Sequence, residues 1–142
     1  MKFKIATPER IMLETEIDSV TLPTTLGEIT VLQHHIPLVA NLVPGEIRYN
    51  LANKENFFAV SGGVIEVKRG DQVVVLADAA EFGHEIDLQK AVQARLEAQK
   101  LMSQTHKSDK SYADAAAWLE RSQARVKVAK KHHTHKHMHA NE

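Results

Sequence analysis

The sequence predicts an all-β sandwich of about eight to ten strands followed by a C-terminal antiparallel α-helical hairpin. In the first part of the chain, short apolar stretches alternate with turn residues roughly every 8–12 residues. All six glycines and all four prolines lie before His84. Beyond His84 the spacing of the apolar residues changes from two residues to about 3.6 residues, the period of a helix. We therefore expect a sandwich domain over residues 1–84, a helical hairpin over 85–131, and a histidine-rich, disordered tail over 132–142.

The first predicted strands are bounded by prolines and glycines. Pro8 has no backbone N–H to donate and disfavours helix at the residue before it, so the first strand ends before Thr7. A loop that carries Pro37 and Pro44 separates the fourth strand from the fifth. The predicted strands in this part of the chain cover residues 2–6, 11–13, 17–22, 28–32 and 46–51.

Residues 53–77 are predicted to form an antiparallel meander. The polar segment 53–56 is expected to be the turn before a strand at 57–60. Gly62 and Gly63 lie between two predicted strands, which favours a bulge or tight bend over a phosphate-binding loop at the start of a helix. The run 73–77 is apolar on both faces, so we expect a central strand that is covered on both sides.

Two helices are predicted after Gly83. Asp87 is a candidate N-cap for the first helix, and the spacing of Ser111 and Asp114 suggests a capping box at the start of the second. The first apolar stripe consists of Leu88, Val92, Leu96, Gln99 and Met102, with Ala91 and Ala98 beside it. The second consists of Tyr112, Ala115, Ala116, Leu119, Ser122, Val126 and Ala129. Alanine buries little apolar surface, so we expect weak docking of this hairpin.

Composition excludes several classes of function. The chain carries 18 basic and 18 acidic residues, which argues against a dedicated nucleic-acid binder. No apolar run approaches the roughly 20 residues of a membrane-spanning helix, and no secretory signal is visible, so we expect a cytoplasmic protein. The absence of cysteine excludes thiol nucleophiles and thiolate metal sites. No sequence motif for nucleophilic, phosphate-binding or zinc chemistry is present.

A cluster of arginines and a cluster of histidines each allow more than one interpretation. Arg121 and Arg125 lie four residues apart on one helical face, with Arg95 available from the other helix, so they could bind a phosphate chain or an acidic protein surface, or simply be solvated. The histidine-rich tail could bind a divalent metal ion, could simply be solvated, or could respond to protonation near pH ~6.5. Its histidines are His132, His133, His135, His137 and His139.

Four stretches carry a resemblance to a known family. They are GEITVLQHHIPLV at 27–39, PGEIR at 44–48, VSGGVIEV at 60–67 and VVLADAAE at 74–81. In order and spacing they resemble the epsilon subunit of bacterial rotary F-type ATP synthases. The resemblance covers about residues 1–126 and is most specific in the predicted sandwich, whereas the tail after Lys131 departs from it.

The resemblance implies a non-catalytic subunit of the central stalk of a proton-translocating complex at the cytoplasmic face of the bacterial inner membrane. Its sandwich would bind the gamma subunit and stand on the ring of c subunits, with Glu28 and His35 at the ring. Its helical arm would restrain ATP hydrolysis when extended toward the alpha and beta subunits. The second half of the chain carries 11 basic and 7 acidic residues, which suits an acidic partner.

Some members of this family bind ATP through a motif at the start of the first helix together with arginines of both helices. By this resemblance the ATP site would comprise Ile86, Asp87, Lys90, Ala91, Arg95, Arg121 and Arg125. Lys90 replaces the arginine of the motif and so lacks its planar bidentate fork. We therefore expect no required cofactor and ATP only as a weak regulatory ligand. The alternative is a stand-alone metal-binding β-sandwich protein that uses its histidine-rich tail.

Overall fold

The computed structural model describes residues 1–140, without the side chains of residues 135–137, 139 and 140. Ten strands precede a short 3-10 helix, Gly83–Glu85, and two long helices, α1 (Leu88–Gln104) and α2 (Lys110–Ala140). The strands are β1 (Lys2–Ala6), β2 (Ile11–Glu16), β3 (Ser19–Thr24), β4 (Gly27–Val31), β5 (Leu38–Leu42), β6 (Gly45–Leu51), β7 (Lys54–Val60), β8 (Gly63–Lys68), β9 (Gln72–Ala77) and β10 (Ala80–Phe82).

The strands form two layers that are joined at one corner. The first layer has the order β10-β7-β6-β3-β4, and the second has the order β5-β8-β9-β1-β2. The layers meet where Thr24 of β3 pairs with Leu42 of β5. All neighbouring strands are antiparallel except β1 and β9, which pair in parallel. The predicted fold, an all-β sandwich of about eight to ten strands followed by a helical hairpin, is confirmed by the ten strands and two long helices observed.

The core between the layers is built from alternate residues of the strands. The largest fully buried side chains include Phe3, Phe58 and Ile47. Tyr49 packs between two of these rings, with centroids 5.6 Å from Phe3 and 5.9 Å from Phe58, and burial raises the pKa of its phenol above the ordinary value. Every buried member of this core cluster lies between Met1 and Ala77, so the sandwich has a core independent of the helices.

Two strands were not predicted. β5 follows Pro37 directly and ends two residues before Pro44, so the punctuation that suggested a loop in fact brackets a short strand. β10 has only three residues and pairs with the end of β7. The predicted turn at 53–56 is wrong by two residues, because the chain reverses at Ala52 and Asn53, whose φ angles are 50° and 62°.

The glycine pair forms the bend between β7 and β8. Gly62 and Gly63 have φ angles of 121° and 143°, a region that side chains strongly disfavour. A Cβ at Gly63 would also overlap the carbonyl oxygen of Leu76 on the adjacent strand. The pair therefore permits a close approach of two backbones, as the bend interpretation predicts.

The expectation that the run 73–77 is covered on both faces is wrong. Its strand is central in the second layer, and Val73, Val75 and Ala77 are buried, but the side chain of Leu76 is 57% exposed. The helices pack instead on β6 and β7 of the first layer. The outer face of the second layer is therefore not covered by the helices.

The two helices pack against each other through small side chains. Asp87 caps α1 by accepting a hydrogen bond from the backbone N–H of Lys90 at 3.1 Å, as predicted. The buried positions of α1 are Ala91 and Ala98, while Leu96 of the predicted stripe is 56% exposed. On α2 the buried residues are Ala115, Ser122, Ala124, Val126, Val128 and Ala129. The buried positions of the two helices are thus mostly small side chains.

The ends of α2 differ from the prediction. It begins at Lys110, so Ser111 lies inside the first turn and not at an N-cap. It continues to Ala140, whereas the sequence predicted an irregular tail from residue 132; residues 141 and 142 lie outside the described residues. Neither helix, within the described part of the chain, contains an apolar stretch long enough to cross a membrane.

A second apolar cluster docks the helices on the sandwich. Phe57 and Ala59 project from β7, Ile86 precedes α1, and Ala91 lies on α1. From α2 the cluster receives Val126, Val128 and Ala129. The cluster is smaller than the sandwich core and contains only one aromatic side chain among its buried members, so it contributes less apolar burial than that core.

Candidate functional site

A cleft of about 430 Å³ opens between α2 and the edge of the first layer. Strands β7 and β10 form its floor, and one face of α2 forms its wall. Its lining residues are Ala59, Val60, Ser61, Ala79, Ala80, Glu81, Trp118, Arg121, Ser122 and Arg125. The helical spacing of Trp118, Arg121 and Arg125 places an indole and two guanidinium groups on this one face.

The two arginines of the cleft have different surroundings. Arg125 donates to both carboxylate oxygens of Glu81, at 2.6 Å from Nε and 3.3 Å from Nη2. Arg121 is exposed at the mouth of the cleft. A planar guanidinium fork suits phosphate, and the indole of Trp118 offers an apolar surface for a flat ring. The cleft therefore has the chemistry to bind an anion that also carries an aromatic group.

The predicted ATP-binding residues do not lie together in one site. Arg121 and Arg125 line the cleft, but the others do not. Asp87 caps α1 and Lys90 is exposed. Ile86 and Ala91 are buried in the cluster that docks the helices.

Arg95 lies between the buried Ala91 and Ala98 on α1, and its Nε is buried without a hydrogen-bond partner among the described residues. Three lining residues that sequence reasoning missed, Ser61, Glu81 and Trp118, come from separate elements. Their proximity depends on how α2 docks, which no local pattern reveals.

Glu28 and His35 lie on the surface at different places along the chain. Glu28 of β4 accepts a hydrogen bond from Arg48 Nη2 at 3.1 Å. His35 lies in the loop after β4, where its Nδ1–H donates to the carbonyl of Ile36 at 2.7 Å. Leu32 and Ile36 of the same loop are 57% and 75% exposed. The loop thus presents a histidine flanked by apolar side chains, which suits contact with another protein.

A row of apolar side chains crosses one end of the outer face of the second layer. Val64 of β8 pairs with Leu76 of β9, which pairs with Ala6 of β1, which in turn pairs with Ile11 of β2. The exposed fractions of Val64, Leu76 and Ile11 are 41%, 57% and 53%. We call this row of four residues the apolar ladder. Contiguous exposed apolar residues on a rigid sheet are typical of a protein interface.

A group of charged side chains lies where α2 crosses β6. Lys131 of α2 donates to Glu46 Oε1 at 2.7 Å, and the side chain of Glu46 is only 1% exposed. Arg48 Nε lies 3.5 Å from the same oxygen. Lys131 Nζ also lies 5.7 Å from the centre of the Phe57 ring. A buried carboxylate needs such cationic partners, so these contacts hold α2 on the sheet at Lys131.

The histidines offer no assembled metal site among the residues whose side chains are described, where no three His, Asp or Glu residues are grouped as ligands. His132 lies next to His84 of the 3-10 helix, with ring centres 6.1 Å apart. His133 is exposed. The side chains of His135, His137 and His139 lie outside the described residues.

Sequence comparisons agree with this arrangement of a sandwich and two helices. The family model for the ATP synthase, Delta/Epsilon chain, beta-sandwich domain matches residues 1–83, and the model for the long alpha-helix domain matches residues 84–130. An ATP synthase epsilon chain of Dehalococcoides mccartyi is 39% identical over 135 residues, which cover 95% of this chain and 96% of the relative. One from Syntrophobacter fumaroxidans is 41% identical over 131 residues, covering 92% and 96%.

Solved structures show the same fold at lower identity. A chain in the Euglena gracilis mitochondrial ATP synthase, OSCP/F1/c-ring, superposes with a TM-score of 0.77 at 24% identity, covering 89% of this chain and 79% of that one. A chain in the central stalk/c-ring of the Tetrahymena thermophila enzyme gives a TM-score of 0.61 at 13% identity, covering 90% and 95%. With both domains matched in order and two curated relatives aligned over more than nine-tenths of its length, the chain belongs to the ATP synthase epsilon chain family.

Proposed function

We propose that this chain is a non-catalytic rotor subunit of a proton-translocating F-type ATP synthase and couples rotation of the c ring to ATP synthesis through gamma. The observation that carries the proposal is the apolar ladder on a sandwich whose core is complete without the helices. The chain performs no chemical step and requires no cofactor. It works at the cytoplasmic face of the bacterial inner membrane, held there by its partners.

The apolar ladder is proposed as the surface that binds gamma. Three of its strands, β8, β9 and β1, are central in the second layer and β2 is at its edge, and the helices leave that layer uncovered. The loop that carries His35, with the exposed Leu32 and Ile36, is proposed to contact the c ring together with Glu28. Separate surfaces for gamma and for the ring allow one rigid domain to transmit torque between them.

The helical arm is proposed to inhibit ATP hydrolysis when it extends from the sandwich toward the alpha and beta subunits. Its dock on β7 is a small cluster with few large apolar side chains. Because this cluster buries little apolar surface, the free energy that holds the arm on the sandwich is small, and the arm can leave the sandwich at equilibrium. The exposed basic residues of α2, among them Lys127 and Lys130, suit an acidic surface on the catalytic head.

Association with gamma tests the main proposal. Leu76→Glu places a charge in the middle of the apolar ladder, so we expect this variant to lose co-purification with gamma and with the catalytic head. Leu51→Glu is the control, because Leu51 is also an exposed leucine of the sandwich, at 38%, but lies at the end of β6 in the first layer. The proposal is wrong if Leu76→Glu assembles as well as the unaltered chain, or if the unaltered chain does not bind gamma.

ATP is proposed as a weak regulatory ligand of the cleft, with Arg121 and Arg125 at its phosphates. The single tryptophan, Trp118, lines the cleft and reports binding through its fluorescence. Losing one charged contact corresponds to roughly a tenfold to hundredfold weaker affinity, which we expect for Arg121→Gln in an ATP titration of the full chain. Lys90→Gln is expected to leave the affinity unchanged, because Lys90 does not line the cleft. An equal loss for both variants would instead favour the site at the start of α1.

A further inference from the structure

Four charged side chains form a continuous path from α2 to β4. Lys131 contacts Glu46 at 2.7 Å, Arg48 lies 3.5 Å from the same Glu46 oxygen, and Arg48 reaches Glu28 at 3.1 Å. We call Lys131, Glu46, Arg48 and Glu28 the charge network. Its two ends belong to the helical arm and to the proposed ring contact.

The register of the first layer explains why these residues lie on one face. Glu46 and Arg48 are two residues apart on β6 and therefore project to the same side. Arg48 pairs with Thr21 of β3, and Glu28 pairs with Pro23, two residues further along the same strand. The path thus crosses three neighbouring strands on the outer face that α2 partly covers. Its continuity follows from strand order and does not depend on a flexible loop.

Lys131 and Arg48 share one carboxylate. Both approach Oε1 of Glu46, while Oε2 is buried and has no hydrogen-bond partner within the described part of the chain. Because the Glu46 side chain is 1% exposed, its charge must be balanced by a neighbouring cation. Arg48 divides its guanidinium between Glu46 and Glu28, which is 52% exposed. If Arg48 were released from Glu28, it would have a free acceptor on Glu46.

We propose that this network couples occupancy of Glu28 to docking of the helical arm. A cationic group that binds Glu28 releases Arg48, which then neutralises Glu46 and weakens the hold of Glu46 on Lys131. By thermodynamic reciprocity, undocking of α2 frees Glu46 for Arg48 and makes Glu28 more available to its partner. The inference rests on the proposed function only in identifying Glu28 as a contact to another subunit.

A double-mutant cycle on the full, isolated chain tests the coupling. The measurement is amide hydrogen exchange of α2, whose hydrogen bonds open more often when the helix loses its packing on the sheet. Glu28→Gln removes an exposed pair and is expected to speed exchange roughly two- to fivefold. Lys131→Gln leaves the buried Glu46 without its closest cation, so we expect at least about a tenfold increase. In the double variant the two effects should combine to less than their product.

Two further variants make the result specific. Glu66→Gln is the matched control, since Glu66 is equally exposed and paired with Lys68 at 3.8 Å, but on β8 of the other layer. Its effect should be independent of Lys131. In a Glu46→Gln background, Glu28→Gln should no longer change the exchange of α2, because Glu46 transmits the effect.

Multiplicative effects of Glu28→Gln and Lys131→Gln, or an undiminished effect of Glu28→Gln in the Glu46→Gln background, would overturn the coupling. Circular dichroism of each variant establishes that the sandwich is intact. The result is separable from the proposed function, which is tested by Leu76→Glu on the second layer. Loss of coupling with retained gamma binding would refute this inference alone.

Discussion

Locking α2 onto the sandwich is expected to raise ATP hydrolysis by the assembled complex, because the proposed inhibition requires this helix to leave its dock. A Cβ built at Gly83 lies 3.6 Å from the Cβ of His132, within the range of about 3.5–4.5 Å that a disulfide spans. The chain contains no cysteine, so Gly83→Cys combined with His132→Cys gives one defined cross-link.

The increase in the rate of ATP hydrolysis depends on the fraction of complexes in which the arm is extended. If the arm inhibits half of the complexes, the oxidised double variant should hydrolyse ATP about twofold faster, and reduction should reverse the gain. Gly83→Cys alone is the control, because it places the same Cβ 3.2 Å from Val128 without a cross-link. Truncation after Glu85 should match the oxidised form, since the sandwich core lies entirely before the helices. Inhibition by the arm is refuted if neither change alters the rate.

Gly63→Ala is expected to lower the free energy of unfolding of the sandwich by about 3 kcal/mol or more. The φ angle of Gly63 is 143°, and the new Cβ would overlap the backbone oxygen of Leu76, which belongs to a central strand and cannot move alone. Urea denaturation followed by circular dichroism measures the loss.

Gly70→Ala separates the overlap from the backbone strain. Gly70 also has a positive φ, 82°, but a Cβ there would meet open space. We expect a loss of about 1 kcal/mol from strain alone. Equal losses at the two positions would mean that the approach of Leu76 to Gly63 does not limit stability.

Much of the sandwich can be predicted because its strands alternate and its turns carry glycine or proline. The Asp87 cap is equally local, since an acidic side chain accepts from an N–H only three residues away. β5 was missed because prolines flank it on both sides, and β10 because three residues are too few to show a period. These errors arise where a strand forms because a neighbouring strand supplies its hydrogen bonds, while its own residues show no strand pattern.

The site could be predicted only in part. Arg121 and Arg125 follow from helical spacing, but Glu81, the partner of Arg125, lies 44 residues earlier on a short edge strand. Glu46 and Lys131 are 85 residues apart, and neither position is unusual in sequence. The run 73–77 was predicted to be covered on both faces because it is apolar throughout, but the sequence does not show whether a helix packs on it, and Leu76 is 57% exposed.

The small residues between the helices have a consequence for solubility. A helix that separates from its packing partner exposes the side chains that were buried between them. If those side chains form a large apolar surface, they promote aggregation. The face of α1 that packs on α2 is centred on Ala91 and Ala98, and that of α2 includes Ala115 and Ser122. Such a hairpin can open or detach while presenting little surface that would cause self-association or recruit a chaperone.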